Sequence, residues 1–123
     1  GAGVKEILKF GKKKIYSHEK KLGKFFLEAL SHLKKIRIYG SSDPNMRTGV
    51  ISINIDNKDS SEMCNLLDER YSIAVRGGLH CAPLAHKTIG TFHQGTIRFS
   101  YGVFNNLDEV KSCIRALEEL SRE

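Results

Sequence analysis

Apolar residues recur every three or four positions from Val4 to Leu33, which is the period of an amphipathic helix. Gly11 and the three lysines that follow it predict an interruption of this pattern. We therefore expect two helices at the start of the chain, over about 3–10 and 13–34.

Three more segments of the chain carry helix signals. Asp59 or Ser60 can cap a helix that runs to about residue 70, and Pro83 can open a short helix to about residue 88. Asp108 is expected to begin a final helix. The inner face of that helix consists of Val110, Cys113, Ile114, Leu117 and Leu120.

Alternation of apolar and polar residues predicts four strands between these helices. The clearest is VISINI at 50–55, in which three isoleucines share one face and Val50, Ser52 and Asn54 share the other. The other expected strands are 36–40, 72–76 and 96–102. This order predicts an α+β fold, with helices packed on one face of a mainly antiparallel four-stranded sheet. Without a linker or an internal repeat, residues 1–123 are expected to form a single domain.

The net charge of +6 is unevenly distributed, with +8 in residues 1–40 and −2 in the remainder. An excess of positive charge can bind nucleic acid, but this segment has no arginine-rich run with interleaved aromatic residues. The lysines are more typical of the solvated face of an amphipathic helix. No apolar run approaches the ~20 residues that cross a bilayer. Neither a nucleic acid nor a membrane is therefore expected as a partner.

The segment VRGGLHCAPLAHKTIGT, residues 75–91, is the least ordinary part of the chain. Three widely spaced cysteines predict reduced, intracellular thiols rather than a disulfide framework. Cys113 lies on an apolar helix stripe and is expected to be inert, as is Cys64 to a lesser degree. Cys81 has loop residues as neighbours and does not fit that pattern. The histidines near Cys81 lack the sequence spacing of zinc ligands, so no metal site is expected.

A nucleophilic role for Cys81 has a physical basis in its neighbours. A thiolate needs nearby positive charge or helix-terminal N–H groups to bring its pKa down from ~8.5. Arg76 and His80 can supply the charge, and Pro83 can place the sulfur just before a helix N-terminus. The preceding glycines allow the loop to move the sulfur. No recognisable base completes a Cys-His-Asn arrangement, so a hydrolase is not indicated.

RGGLHCAPLAHKTIGT, followed by GTIRFSYGVFNNLDEVKSCIRALEEL, resembles the end of pyridoxal-phosphate-dependent cysteine desulfurases of the Suf-type branch in the class V aminotransferase superfamily. YGSSDPNMRTGVISINI is similar to that family's entry into its small domain, so the resemblance covers nearly the whole chain. It implies that Cys81 attacks the sulfur of L-cysteine and becomes a persulfide. It also implies that Arg98 holds the substrate carboxylate, while Arg76 and His80 support the loop.

The resemblance also implies a cofactor that this chain does not hold. The family carries pyridoxal 5'-phosphate on a lysine in a Ser-x-His-Lys segment of a large domain. Lys20 in SHEK and Lys87 in AHK are not candidates for that lysine, and no glycine-rich phosphate cradle is present. We therefore expect the C-terminal small domain of a longer enzyme, with residues 1–35 as a helical segment leading from the large domain, and no activity for this chain alone.

As the family implies, the full-length enzyme would be a cytoplasmic homodimer that turns L-cysteine into L-alanine. It would pass the sulfur to an acceptor or scaffold protein for iron–sulfur cluster assembly. Three alternatives stay open. One is a selenocysteine lyase or a related class V lyase, the second is a stand-alone basic nucleic-acid-binding module, and the third is a sulfur-carrier or redox domain that uses Cys81 without a cofactor.

Overall fold

The computed structural model describes all 123 residues, Gly1–Glu123, and contains five α-helices, three strands and one short 3-10 turn. The predicted helices are confirmed with shifts of up to three residues at their ends. In chain order the elements are α1 Ala2–Phe10, α2 Lys12–Ser31, β1 Ile36–Tyr39, the 3-10 turn Pro44–Met46, β2 Val50–Ile55, α3 Ser60–Tyr71, α4 Pro83–Ile89, β3 Ile97–Ser100 and α5 Leu107–Arg122.

The sheet is antiparallel throughout, with β2 between β1 and β3. Ser52 sits at the centre of the register, opposite Tyr39 of β1 and Arg98 of β3. The predicted α+β class with an antiparallel sheet is therefore confirmed, but the sheet has three strands where four were expected.

The predicted fourth strand over 72–76 is reduced to a single bridge between Arg76 and Arg98. Ser72 adopts a left-handed conformation at the end of α3, with φ of 54°, and Ile73 donates its N–H to Leu67 O. The backbone at the start of the segment is thus committed to capping α3. Gly78, with φ of 92°, lies two residues after the bridge, so no longer ladder forms with β3.

The two faces of the sheet differ in character. The core face carries isoleucines of β2 with Ile97 and Phe99 of β3, and these pack with apolar residues of α2, α3 and α5. Phe26 of α2 meets Phe99 edge to face, with ring centroids 5.3 Å apart. The opposite side, called here the polar face, is formed by the alternate strand residues Arg37, Tyr39, Ser52, Asn54 and Arg98.

Asn54 departs from the simple alternation because it is on the polar face but only 1% exposed. Its Nδ2 donates to Gly95 O at 2.9 Å and to Gln94 Oε1 at 3.1 Å. The segment that leads into β3 therefore folds over this part of the polar face. The contact of Asn54 with Gln94 and Gly95 joins residues far apart in the sequence, so local hydropathy cannot predict it.

The first helix contrasts with the rest, because α1 has no buried residue. Gly11, with φ of 84°, ends α1 and precedes α2, which confirms the predicted interruption. Val4 and Leu8 are 60% and 70% exposed. The lysines of residues 1–40 are also all exposed. No helix is both long and apolar enough to cross a membrane.

Candidate active site

Cys81 lies in a tight turn formed by residues 79–82, closed by a hydrogen bond from Ala82 N to Leu79 O at 2.8 Å. The two central residues, His80 and Cys81, have φ of 51° and 60°. Positive φ at both central positions is the pattern of a type I′ turn, which glycine, asparagine and aspartate normally occupy. Each non-glycine residue there stores ~1–3 kcal/mol of strain. The surrounding contacts must hold this turn in place.

The three cysteines occupy different environments. Cys81 is exposed, and Nη2 of Arg76 lies 3.8 Å from its Sγ. Cys64 and Cys113 are half-buried. Burial, with the nearby Asp59 carboxylate, raises the pKa of Cys64 to about 11, and burial also raises the pKa of Cys113. At neutral pH these two thiols stay protonated, which leaves Cys81 as the accessible one.

His80 is turned away from Cys81 and towards the start of β3. Its Nε2 lies 2.9 Å from Thr96 O and 3.1 Å from Thr96 Oγ1. Because a carbonyl only accepts, Nε2 carries the proton and Nδ1 is left as a base. That Nδ1 is buried and has no hydrogen-bond partner. Burial, and then the charges of Arg98, His86 and Arg76, lower the pKa of His80. Its imidazole is therefore neutral at pH 7.

Arg76 and Arg98 form an uncompensated pair of positive charges. Each donates its backbone N–H to the carbonyl of the other, at 3.3 and 2.8 Å, so the two residues face each other across the bridge. Like charges directly opposite in a sheet are destabilising. Neither guanidinium pairs with a carboxylate, and Nε of Arg98 is buried without a partner. The arrangement is suited to an anion on the polar face.

The residues singled out from the sequence thus lie close together, since Arg76 contacts Cys81 and is bridged to Arg98, while His80 borders the same loop. Sequence reasoning missed Thr96, which is buried and binds His80. His86, which the sequence offered only as a rejected metal ligand, is buried, bonded through Nδ1 to Thr91 Oγ1 at 2.7 Å and tilted against the His80 ring. Thr96 has no local signal, because it meets His80 from a segment 16 residues further along the chain.

The site lacks the groups that would hold a metal or a pyridoxal cofactor. No group of three or more histidine, cysteine or acidic side chains is placed to bind a metal ion. The polar face carries no lysine. Lys20 and Lys87 are exposed, and their ammonium groups lie over the rings of Tyr16 and Phe92. What the residues offer is an exposed thiol beside an anion site.

Comparison with known proteins gives consistent matches along the chain. The model of the aminotransferase class-V family matches residues 1–113. A protein named "Probable cysteine desulfurase" from Pyrococcus abyssi is 39% identical over 119 residues, which are 97% of this chain and 29% of the relative. The chain therefore spans less than a third of the length of this curated relative.

Solved structures give the same picture. The apo structure of a cysteine desulfurase from Thermococcus onnurineus NA1 superposes with a TM-score of 0.91 at 35% identity, over 98% of this chain and 29% of that one. A cysteine desulfurase from Escherichia coli, in an S-sulfonic acid form, superposes with a TM-score of 0.81 at 21% identity, over 96% of this chain and 28% of that one. The second likeness bears on the fold alone.

Proposed function

The chain belongs to the aminotransferase class-V family, and from that premise we propose that it is the C-terminal small domain of a cysteine desulfurase. In this proposal, residues 1–35 form a helical segment leading from a larger domain, and Cys81 receives sulfur from L-cysteine. The observation that carries the proposal is an exposed thiol next to two arginines that no carboxylate neutralises.

Arg98 binds the carboxylate of the substrate. A guanidinium can donate two parallel hydrogen bonds to a carboxylate, which fixes the orientation as well as the position of the amino acid. The unpaired Nε of Arg98 and the adjacent charge of Arg76 support this assignment. Arg76 has a second role, since its Nη2 lies 3.8 Å from the sulfur of Cys81 and helps to hold that side chain in place.

In the transfer step, the Cys81 thiolate forms an S–S bond with the sulfur of L-cysteine as the Cβ–S bond of the substrate breaks. The electron pair of that bond stays on carbon, which takes a proton and becomes the methyl group of L-alanine. The sulfur pair is oxidised to a persulfide while the carbon is reduced, so no external oxidant is consumed. His80, neutral and fixed on Thr96, keeps the loop in place without adding charge.

Pyridoxal 5'-phosphate, which the family implies, does not fit the residues of this chain, because no lysine lies on the polar face. When bound, that cofactor supplies an electron sink for carbon–sulfur cleavage. We assign its binding to polypeptide outside these 123 residues. The isolated chain is accordingly inactive.

The remaining parts of the proposal concern the whole enzyme. It is a cytoplasmic homodimer that passes the persulfide sulfur of Cys81 to an acceptor or scaffold protein for iron–sulfur cluster assembly. The exposed position of Cys81 supports such a transfer, because an acceptor thiol can reach the sulfur from solvent.

Replacement of Cys81 in the full-length enzyme tests the proposal. Cys81→Ser is expected to abolish persulfide formation and alanine release, because a hydroxyl cannot form the S–S bond. Cofactor absorbance should be unchanged. Cys64→Ser and Cys113→Ser are the matched controls, and both should keep activity because their thiols are half-buried and protonated. Normal sulfide and alanine release by Cys81→Ser would refute the assignment.

A further inference from the structure

We propose that Ser60 is a positioning residue that fixes the loop of Cys81 through the backbone of Gly78; this inference rests on the function proposed above. Ser60 is the first residue of α3 and is 1% exposed. Its Oγ accepts the N–H of Gly78 at 3.1 Å and donates to Gln94 O at 2.7 Å. One buried hydroxyl thus joins the start of α3, the Cys81 loop and the segment that leads into β3.

Gly78 is held from both sides. Its carbonyl accepts the N–H of Thr96 at 3.1 Å, so both of its backbone polar groups are bonded. Gly95, with φ of 67°, passes so close that a Cβ there would lie 2.6 Å from Ser60 Oγ and 2.7 Å from Gly78 Cα. The three segments are therefore in direct backbone contact at this point.

The same hydroxyl links the loop to the centre of the sheet. Gln94, whose carbonyl accepts from Ser60, also receives Asn54 Nδ2 on its Oε1 at 3.1 Å. Its Nε2 donates to Asp56 O at 2.9 Å and to Lys58 O at 2.6 Å. Gln94 is thus fixed to β2 and to the turn that follows it, and Ser60 transmits that fixed position to Gly78.

The consequence is a loop whose base is fixed by hydrogen bonds while the sulfur at its tip is exposed. Gly78 is fixed by Ser60 and Thr96, and His80 by Thr96. The Ser60–Gly78 bond is the only side-chain hydrogen bond between α3 and the loop of Cys81. Beyond His80, the exposed sulfur has only the 3.8 Å contact with Arg76. Ser60 thereby sets the point from which Cys81 reaches the substrate.

Removal of the Ser60 hydroxyl leaves the N–H of Gly78 without a partner and loosens the base of the loop. A misplacement of ~1 Å at a reacting atom costs ~100-fold in rate, so Ser60→Ala should slow persulfide formation at least ~10-fold. The KM for L-cysteine should change less than ~2-fold, because Arg98 binds the substrate and does not contact Ser60. This split between rate and KM distinguishes positioning from loss of substrate binding.

The experiment uses the full-length enzyme with Ser60→Ala, Ser60→Thr and the matched control Ser121→Ala. Ser121 is also a buried serine, whose Oγ donates to Glu118 O within α5, away from the loop. The readouts are single-turnover persulfide formation on Cys81, the KM for L-cysteine and amide hydrogen exchange across residues 60–82. Ser60→Thr keeps the hydroxyl and should recover most of the rate. Should Ser60→Ala prevent folding, Ser60→Cys, whose larger sulfur forms only weak hydrogen bonds, replaces it.

The expected result is slower persulfide formation and faster exchange confined to the Gly78 amide in Ser60→Ala, with no effect in Ser121→Ala. An unchanged rate in Ser60→Ala would overturn the inference, as would faster exchange spread evenly over α3, which indicates loss of helix stability alone. If the wild-type enzyme forms no persulfide, the proposed function fails. The exchange measurement then still decides whether Ser60 fixes Gly78.

Discussion

Three buried polar atoms have no hydrogen-bond partner, and all three belong to the polar face or the loop beside it. They are Oδ1 of Asn54, Nδ1 of His80 and Nε of Arg98. More than ~90% of buried polar groups in folded proteins are paired. Their concentration in one region, next to two arginines without counter-charges, indicates a surface that is completed by a ligand or by further polypeptide.

His80 makes the stability of this region depend on pH. Its pKa lies below the ordinary value of ~6.5, first because burial disfavours the charged form and then because Arg98, His86 and Arg76 lie near it. Below pH ~6.5 the unfolded chain binds a proton that the folded chain resists. The stabilisation present above that pH is therefore lost as pH falls from ~6.5 towards the folded pKa.

Urea unfolding at several pH values between ~5 and ~7.5 tests this expectation. His80→Gln, which keeps an N–H donor for Thr96, should flatten the dependence of unfolding free energy on pH. The control is His32→Gln, because His32 is exposed at the end of α2. Equal slopes for wild type and His80→Gln would show that His80 does not govern this titration.

At the scale of elements, the stability of α5 depends on the hydrogen bonds that cap its first turn. Asn106 Oδ1 accepts the N–H of Glu109 at 3.0 Å, and Glu109 Oε2 accepts the N–H of Asn106 at 3.0 Å. The bond from the N–H of Asn106, and then a bond from Asn105 Nδ2 at 3.1 Å, lower the pKa of Glu109, because both donate to its carboxylate. Since α5 supplies much of the apolar wall under the sheet, its end must be fixed for the core face to pack.

Asn106→Ala should lower the free energy of unfolding by ~1 kcal/mol, the usual effect of removing an N-cap side chain. Urea denaturation measures it, with the slope against denaturant unchanged. Asn57→Ala is the matched control, since Asn57 is exposed in a turn outside any helix. An equal loss in both variants would mean that the cap contributes nothing of its own.

The elements also show what the sequence could and could not predict. Periodicity and capping residues located every α-helix, and VISINI was confirmed as β2, because these patterns are local. The strand predicted over 72–76 was wrong, because the backbone at its start caps α3. The alternation of apolar and polar residues in a segment does not show which strand it pairs with. Likewise Arg76, His80 and Cys81 lie within six consecutive residues and are visible as a motif, whereas Ser60 and Thr96 reach the loop only through the tertiary fold.

At the scale of the molecule, apolar side chains of α1 remain exposed to solvent. Val4, Ile7 and Leu8 of α1 are exposed on a helix with no buried residue, and Phe104 beside it is 79% exposed. The chain also spans only 29% of the curated relative from Pyrococcus abyssi. Both observations agree with the proposal that residues 1–35 lead from a larger domain and that this domain holds the cofactor.

Reconstitution of the enzyme from two polypeptides tests the proposal that this chain carries the sulfur acceptor and another polypeptide carries the cofactor site. This chain, given L-cysteine and pyridoxal 5'-phosphate, should release no alanine, because it lacks a lysine on the polar face. Addition of the complementary polypeptide from the same gene should restore alanine release, since the larger domain then holds the cofactor within reach of Cys81. A Cys81→Ser chain should assemble equally well and restore nothing. Alanine release by the isolated chain would contradict the proposal, because the sulfur acceptor and the cofactor site would then lie in the same 123 residues.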